Sequence, residues 1–121
     1  MTRFFVALLL VPTLAAATPY DGRYKQTTDS DCGVIGQEGG AIEIEDGIFK
    51  GVELQCRMTR PVSVVDMDAT LYTMQCSGEG QNWTERALVM RHANGDDVIM
   101  LWDGYAFVYE ACAQPSSQTS E

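Results

Sequence analysis

Alternation of hydrophobic and polar residues runs through much of the chain and predicts β-strands. Residues 42–45 read Ile-Glu-Ile-Glu, and the dipeptide Asp46-Gly47 directly after them is typical of two-residue hairpin turns. Residues 48–57 are therefore predicted to be the return strand of a hairpin. The alternation changes phase within that strand, and Gly51 is the natural place for a β-bulge that shifts it by one residue.

A second predicted hairpin lies near the middle of the chain. Its arms are residues 69–76 and 82–92, and they flank the glycine-rich acidic loop Ser77-Gly78-Glu79-Gly80. The glycines of this loop favour the positive φ angles that a hairpin turn needs. The rest of the domain is expected to be organised around this hairpin.

Two further tight turns, Asn94-Gly95 and Asp103-Gly104, predict a three-stranded meander after the second hairpin. Because a two-residue turn determines which residues face each other, both turns set a register. The two further strands are expected at residues 98–102 and 105–110. The Asn94-Gly95 turn places Met90 opposite Ile99 and Leu88 opposite Leu101. The Asp103-Gly104 turn places Leu101 opposite Ala106 and Ile99 opposite Val108.

Both faces of this meander are apolar. One face is aliphatic and comprises Leu88, Met90, Ile99, Leu101, Ala106 and Val108. The opposite face is partly aromatic and comprises Ala87, Val89, Arg91, Val98, Met100, Trp102, Tyr105, Phe107 and Tyr109. Either the sheet curls into a small barrel whose outer face is partly covered by loops 28–40 and 59–68, or the aromatic face is open to a partner. The covered arrangement is favoured, since large aromatic side chains are usually buried.

The predicted fold is all-β: an antiparallel meander that closes into a small barrel of seven or eight strands with two disulfides. A first strand is expected at residues 23–27. Arg60-Pro61 indicates a crossing loop or a short edge strand, because proline has no N–H to donate to a central ladder.

The two ends of the chain are expected to lie outside this domain. Residues 1–17 have the basic start, apolar run and small-residue ending of an export signal, with cleavage expected after Ala17. Residues 18–112 form the single β domain, and residues 113–121 form a polar tail that is expected to be disordered. The predicted location is therefore the bacterial periplasm or the medium, with no membrane insertion after cleavage.

The charge of the chain limits its partners. The net charge is −9, from 8 basic and 17 acidic residues. Removal of Arg3 with the predicted signal leaves 7 − 17 = −10. A charge of this sign repels nucleic acid and anionic membranes, whereas it attracts a basic protein or a cationic ligand. The same charge is also consistent with a role in solubility alone.

Four cysteines, Cys32, Cys56, Cys76 and Cys112, predict two disulfides and an oxidising compartment. Four cysteines allow three connectivities. We favour Cys32 with Cys56, because they flank the first hairpin, and Cys76 with Cys112, because the last strand would close toward the central hairpin.

No catalytic constellation is recognisable in the sequence. His92 is the one histidine, and no Gly-x-Ser-x-Gly pattern provides a nucleophile for it. The carboxylate pairs lack the fuller pattern of a calcium loop, so neither a metal nor a cofactor is predicted. A non-enzymatic role is expected, and a carboxylate-based hydrolase is kept only as a third hypothesis.

The acidic glycine-rich loop is the leading candidate for a binding site. It brings Glu79, Gln81, Asn82 and Trp83, with Arg86 close behind, to one end of the sheet. Tryptophan beside charged residues is typical of interaction sites, although Trp83 could equally plug the end of the barrel. The leading hypothesis is thus a binding or inhibitor domain that acts through this loop. The alternative is a carrier of an apolar small molecule held on the face of Trp102, Tyr105 and Phe107.

The domain resembles small exported bacterial β-barrels, including periplasmic lysozyme inhibitors, in architecture and composition. Residues 72–83 depart from the serine- and glycine-rich loop of those inhibitors. The run Cys76-Ser77-Gly78-Glu79-Gly80, with Trp83 and Arg86, is similar to short exported bacterial proteins with no assigned role. This resemblance implies an exported barrel and implies no activity.

Overall fold

The computed structural model describes residues 17–113, together with residues 2, 4 and 6–8. Most of the export signal predicted at residues 1–17 and most of the tail predicted at residues 113–121 lie outside the described residues. The described part of the chain contains nine β-strands. They are β1 Gly22–Lys25, β2 Asp31–Ile35, β3 Gly40–Glu45, β4 Ile48–Gly51, β5 Leu54–Ser63, β6 Ala69–Gly78, β7 Gln81–Arg91, β8 Val98–Trp102 and β9 Tyr105–Ala111.

Eight of these strands close into an antiparallel barrel. The spatial order runs β1-β9-β8-β7-β6-β5-β4-β3, and pairing of β1 with β3 completes the ring. The remaining strand, β2, is an extra strand that pairs in parallel with β3. The predicted all-β barrel with two disulfides is therefore confirmed.

The register predicted for the meander is also confirmed. Met90 faces Ile99 across β7 and β8, and Leu101 faces Ala106 across β8 and β9. The central hairpin is tighter than expected, because β6 and β7 extend into the predicted loop and leave a two-residue turn. In that turn Glu79 has φ 49° and Gly80 has φ 76°, the positive values that two-residue hairpin turns favour.

The predicted return strand at residues 48–57 is corrected by the structure. It contains no continuous strand with a bulge at Gly51; β4 ends there, and Val52 and Glu53 form a second hairpin turn into β5, with Gly51 opposite Leu54. Glu53 adopts φ 54° without the help of glycine or asparagine, so the sequence carries no turn signal at this point. Gly78 matters here for space, since a Cβ on it would lie 2.6 Å from the Glu53 carbonyl oxygen.

Two other predicted boundaries shift. The first strand ends at Lys25, two residues earlier than expected. Of the two alternatives for Arg60-Pro61, a crossing loop or a short edge strand, the structure shows strand, because β5 continues to Ser63. Pro61 lies at an irregularity in the β5–β6 ladder. On the opposite edge of β5, the ladder with β4 ends at Arg57. The missing N–H of Pro61 therefore breaks no hydrogen bond to β4.

The aromatic face of the meander points into the barrel. Ala87, Val89, Val98 and Met100 are fully buried, and Tyr109 is 6% exposed. The aliphatic face points outward, where Leu88, Met90 and Ile99 are half-buried. Leu101 and Val108 on the same face are 50% and 60% exposed. Of the two apolar faces of the meander, the one with the larger and more aromatic side chains therefore faces the barrel interior.

Both predicted disulfide pairings are wrong. The structure joins Cys56 to Cys76 and Cys32 to Cys112. Cys56 lies directly opposite Cys76 on neighbouring strands, with a Cα–Cα distance of 4.0 Å and both side chains buried. The prediction failed because it weighed proximity along the chain, whereas cross-strand register decides which sulfurs meet. Two disulfides indicate an oxidising, extracellular-type environment.

We expect the Cys32–Cys112 bridge to contribute more stability than the Cys56–Cys76 bridge. Its sequence separation is 80 residues against 20. Loop-closure entropy then gives about 4.5 kcal/mol for the longer loop and about 3 kcal/mol for the shorter one. Two single-bridge variants, each with the other cysteine pair replaced by alanine, would be unfolded in urea before and after reduction.

This design compares identical side chains with and without one bond. The expected result is a larger loss of unfolding free energy when Cys32–Cys112 is reduced. An equal or smaller loss would show that chain entropy does not dominate the contribution of these bridges.

Candidate functional site

The two ends of the barrel differ, and only one of them is sealed. At the end near the β7–β8 turn, which we call the closed end, the Arg91 guanidinium lies 5.7 Å from the centre of the buried Tyr20 ring. Its Nη1 atom also donates to the Asp96 carbonyl oxygen at 3.1 Å and to the Tyr24 hydroxyl at 3.3 Å. These contacts hold a plug of aromatic and cationic side chains across the closed end.

The opposite end, the open end, contains a cavity of about 340 Å³ that we call the aromatic cavity. Val52 of the β4–β5 turn lines it, together with residues of strands β3, β4, β5, β7, β8 and β9. Aliphatic side chains and Cys56 contribute to the lining, together with the Glu85 side chain. Its aromatic lining consists of Phe49, Trp83, Trp102, Tyr105, Phe107 and Tyr109.

Strand parity directs Trp83 and Glu85 into this cavity. Trp83 is opposite the buried Cys76, and Glu85 is opposite the fully buried Met74, so both share the inward face of β7. The Trp83 Nε1–H donates to a Glu85 carboxylate oxygen at 2.6 Å. This hydrogen bond orients the indole and the carboxylate toward each other at the rim of the aromatic cavity.

Among residues 17–113, none of the cationic side chains pairs with Glu85. In the part of the chain that the structure describes, ion pairs are limited to Arg23–Glu43 and Lys50–Glu43 on the outside of the barrel. Arg91 faces the closed end and donates to carbonyl oxygens there, so it does not pair with Glu85. A carboxylate beside aromatic faces and without a cation is a suitable site for a positively charged ligand group.

The aromatic cavity is open at the side because β1 is short. β9 pairs with β1 at only two positions, Tyr24 with Ala111 and Lys25 with Glu110. The inward rings of Tyr105, Phe107 and Tyr109 on β9 stack on one another. The ring centroids are 6.4 Å apart between Tyr105 and Phe107 and 5.5 Å apart between Phe107 and Tyr109. Their exposure rises toward the gap, from 6% at Tyr109 through 42% at Phe107 to 68% at Tyr105.

The residues predicted for the loop site are not brought together on one surface. Trp83 lines the aromatic cavity, whereas Asn82 and Arg86 point outward from alternate positions of β7. Glu79 forms the β6–β7 turn, and Gln81 follows it on the exposed end of β7. By contrast, the three residues of the alternative site, Trp102, Tyr105 and Phe107, all line the same cavity.

Sequence reasoning did not select Phe49 or Glu85 as site residues. The signal for Glu85 was available, because it lies two residues from Trp83 and therefore shares its face of the strand. Phe49 belongs to the first hairpin, and it meets Trp102 only because the barrel closes, with a ring-centroid distance of 5.4 Å.

A larger, polar groove lies near the closed end, and two of its carboxylates, those of Asp21 and Asp97, have structural partners. The Ala111 N–H and then the Asn94 side-chain amide donate to Asp97, and these bonds lower the pKa of the Asp97 carboxyl. His92 lies beside Asp97. The backbone N–H of His92 donates to the Asp97 carbonyl oxygen, and the ring Nδ1 of His92 accepts from the backbone N–H of Asn94. This network organises the β7–β8 turn.

Comparison with protein-family models, with curated proteins and with solved structures finds no match for this chain. Across the described residues, no group of three or more His, Cys, Asp or Glu side chains is placed to hold a metal ion. No helix within the described ranges is long and apolar enough to cross a membrane.

We expect Tyr109, at the inner wall of the aromatic cavity, to make stability decline at alkaline pH. Burial raises the pKa of Tyr109 to about 12 from the ordinary value of 10.0. A folded-state pKa above the unfolded one stabilises the fold below about pH 10, and this contribution is lost as the pH rises toward about 12. The difference of about two units corresponds to roughly 3 kcal/mol.

The measurement is urea unfolding on either side of this pH window, with phenolate absorbance to follow ionisation. Tyr109→Phe keeps the ring and is the matched control, because it removes this part of the pH dependence. A wild type and a Tyr109→Phe variant that lose stability in parallel would contradict the assignment.

Proposed function

We propose that this protein is a non-enzymatic binding domain of the periplasm or the extracellular medium, released by cleavage of its export signal. The aromatic cavity is its site, and the ligand is a chemical group that joins an apolar body to a positive charge. The observation that carries the proposal is the Glu85 carboxylate, which lies at the rim of a cavity lined by six aromatic side chains and has no cationic partner among the described residues.

The size of the cavity supports a small ligand group. Ligand pockets in proteins usually enclose about 300–1,000 Å³, and the aromatic cavity of about 340 Å³ is at the small end of that range. The remainder of the barrel is filled by buried side chains such as Met74, Val89 and Met100. A group the size of one ring with a short chain suits this space better than a long acyl chain.

The charge of the site favours a cation over the neutral apolar ligand of the carrier hypothesis. A neutral ligand would remove water from the Glu85 carboxylate without giving it a new partner, which is costly. A cation would gain both the carboxylate and the faces of the aromatic rings, and cation–π contacts contribute about 0.5–2 kcal/mol each. The net charge of −9 also raises the local concentration of cations.

The leading sequence hypothesis, a basic partner bound through the loop around Glu79 and Trp83, is compatible with part of this site. Trp83 belongs to the aromatic cavity, and a lysine or arginine side chain of a basic protein is itself a cation on an apolar stem. Glu79 lies on the neighbouring turn, outside the cavity lining. We therefore propose Glu85 and Trp83, and not Glu79, as the principal contacts.

Binding of tryptamine, an indole with an ammonium group, tests this proposal by isothermal titration calorimetry. Glu85→Gln is expected to weaken binding at least tenfold, which corresponds to about 1.4 kcal/mol, because it removes the charge that pairs with the ammonium. The neutral analogue 3-methylindole should bind Glu85→Gln at least as tightly as the wild type, because it gives the carboxylate of the wild type no partner. A complete absence of tryptamine binding to the wild type would overturn the proposal.

Glu79→Gln is the matched control, since it removes the same charge on the adjacent β6–β7 turn. Its affinity for tryptamine should stay within about twofold of the wild type, because exposed charges at this distance are screened. If Glu79→Gln weakened binding as much as Glu85→Gln, the effect would be one of net charge, and the assignment of the cavity would be wrong.

A further inference from the structure

Strand β9 borders the aromatic cavity and has a free edge along much of its length. On one side it pairs with β8 from Tyr105 to Tyr109. On the other side its ladder with β1 covers Glu110 and Ala111, and among residues 17–113 no strand continues that ladder toward Tyr105. We define the free edge as residues 105–109 of β9.

The backbone groups that point out of the free edge follow from strand geometry. The Cys112 N–H donates toward β1, to the Arg23 carbonyl oxygen at 2.9 Å. Because successive residues of a strand direct their N–H and C=O groups to alternate sides, those of Val108 and Ala106 point the same way. Both residues are exposed, so two donors and two acceptors are available to another strand.

The chain that would have covered this edge turns away from it. The Ser30 hydroxyl accepts hydrogen bonds from the N–H groups of both Gln26 and Thr27, each at 3.1 Å. The Ser30 N–H in turn donates to the Thr27 carbonyl oxygen. This turn ends β1 after Lys25 and leaves a gap in the ladder beside residues 105–109 of β9.

We propose that an extended segment of a partner polypeptide occupies this gap, pairs with the free edge of β9 and places one basic side chain in the aromatic cavity. The added strand would complete the ladder that β1 begins. This mode of recognition takes affinity from main-chain hydrogen bonds and specificity from a pocket for every second side chain. The inward side chain rests on the function proposed above, whereas the backbone pairing is an independent element.

The surroundings of the free edge define the chemistry of that segment. A residue opposite Phe107 points into the cavity, toward the aromatic rings and Glu85, and is therefore basic. Its two neighbours lie opposite Ala106 and Val108 on the outer face, where β-branched aliphatic residues pack well. Asp103, near the turn end of the free edge, favours a segment of positive net charge, whereas Glu110 at the other end faces Lys25 of β1. A second copy of this acidic chain lacks that complementarity.

The experiment uses the full chain and the capped pentapeptide acetyl-Thr-Val-Lys-Val-Thr-amide. One control peptide carries N-methyl groups on both valines, which keeps the side chains and blocks the main-chain bonds. A second control, N-acetyl-lysine methylamide, presents the basic side chain without a strand. Affinities come from calorimetry, and amide hydrogen exchange is followed by NMR.

We expect the pentapeptide to bind at least tenfold more tightly than either control and to slow exchange of the Ala106 and Val108 amides at least tenfold. Val108→Pro removes a backbone donor from the free edge without removing a hydrogen bond to β8. This variant should bind the pentapeptide at least tenfold more weakly than the wild type and should keep its affinity for tryptamine. The N-methylated peptide removes the reciprocal bonds, from the peptide N–H groups to the carbonyl oxygens of the free edge, so the conclusion does not depend on that variant folding.

The outcomes separate this inference from the proposed function. If the lysine amide and tryptamine bind and depend on Glu85, but the pentapeptide binds no more tightly than its N-methylated form, the edge pairing is wrong and the cavity proposal stands. If the pentapeptide binds and protects Ala106 and Val108 but Glu85→Gln has no effect, the edge pairing stands and the cavity proposal fails.

Two further results would overturn the edge pairing. One is failure of the pentapeptide to bind the wild type at all. The other is concentration-dependent dimerisation in sedimentation that protects the Ala106 and Val108 amides without peptide, since a second copy of the chain would then be the occupant of the edge.

Discussion

Closure of the barrel by β1, a strand of only four residues, is the constraint on which the rest of this structure depends. β1 joins the first hairpin to the last strand, because it pairs with β3 on one side and with β9 on the other. Beside its residues the wall is complete and Tyr24 is buried; beyond Lys25 the wall opens and the aromatic rings of β9 become exposed. The length of one strand therefore separates the closed end from the open end.

The Cys32–Cys112 bridge reinforces that closure. Cys112 follows β9 directly, and Cys32 belongs to the segment that leaves β1, so the bond holds together the two parts of the chain that meet at the closing ladder. A ladder of two residue pairs has few main-chain bonds of its own. The second bridge, Cys56–Cys76, lies inside the barrel and contributes to the lining of the aromatic cavity through Cys56. Closure and cavity thus depend on different covalent bonds.

Parts of this architecture follow from local sequence, and others do not. Asn94-Gly95 and Asp103-Gly104 gave the register of β7, β8 and β9 correctly, because a two-residue turn leaves no freedom in pairing. The turn at Val52-Glu53 was missed because neither residue favours a turn. The disulfides were mispaired because the prediction weighed proximity along the chain, whereas the partner of Cys56 is set by the register between β5 and β6. For the candidate site, Trp102, Tyr105 and Phe107 were placed together correctly, while Glu85 and Phe49 were not selected.

By itself the sequence determined that the chain is an all-β domain with two disulfides, an acidic charge and two apolar faces on its last three strands. It could not determine which of those faces is the interior, because both alternate with the same period of two and both are apolar. Only the tertiary structure decided this, by closing the sheet so that the larger aromatic side chains fill the barrel. It also decided where the filling stops, since β1 ends before β9 does and leaves the aromatic cavity and the free edge side by side.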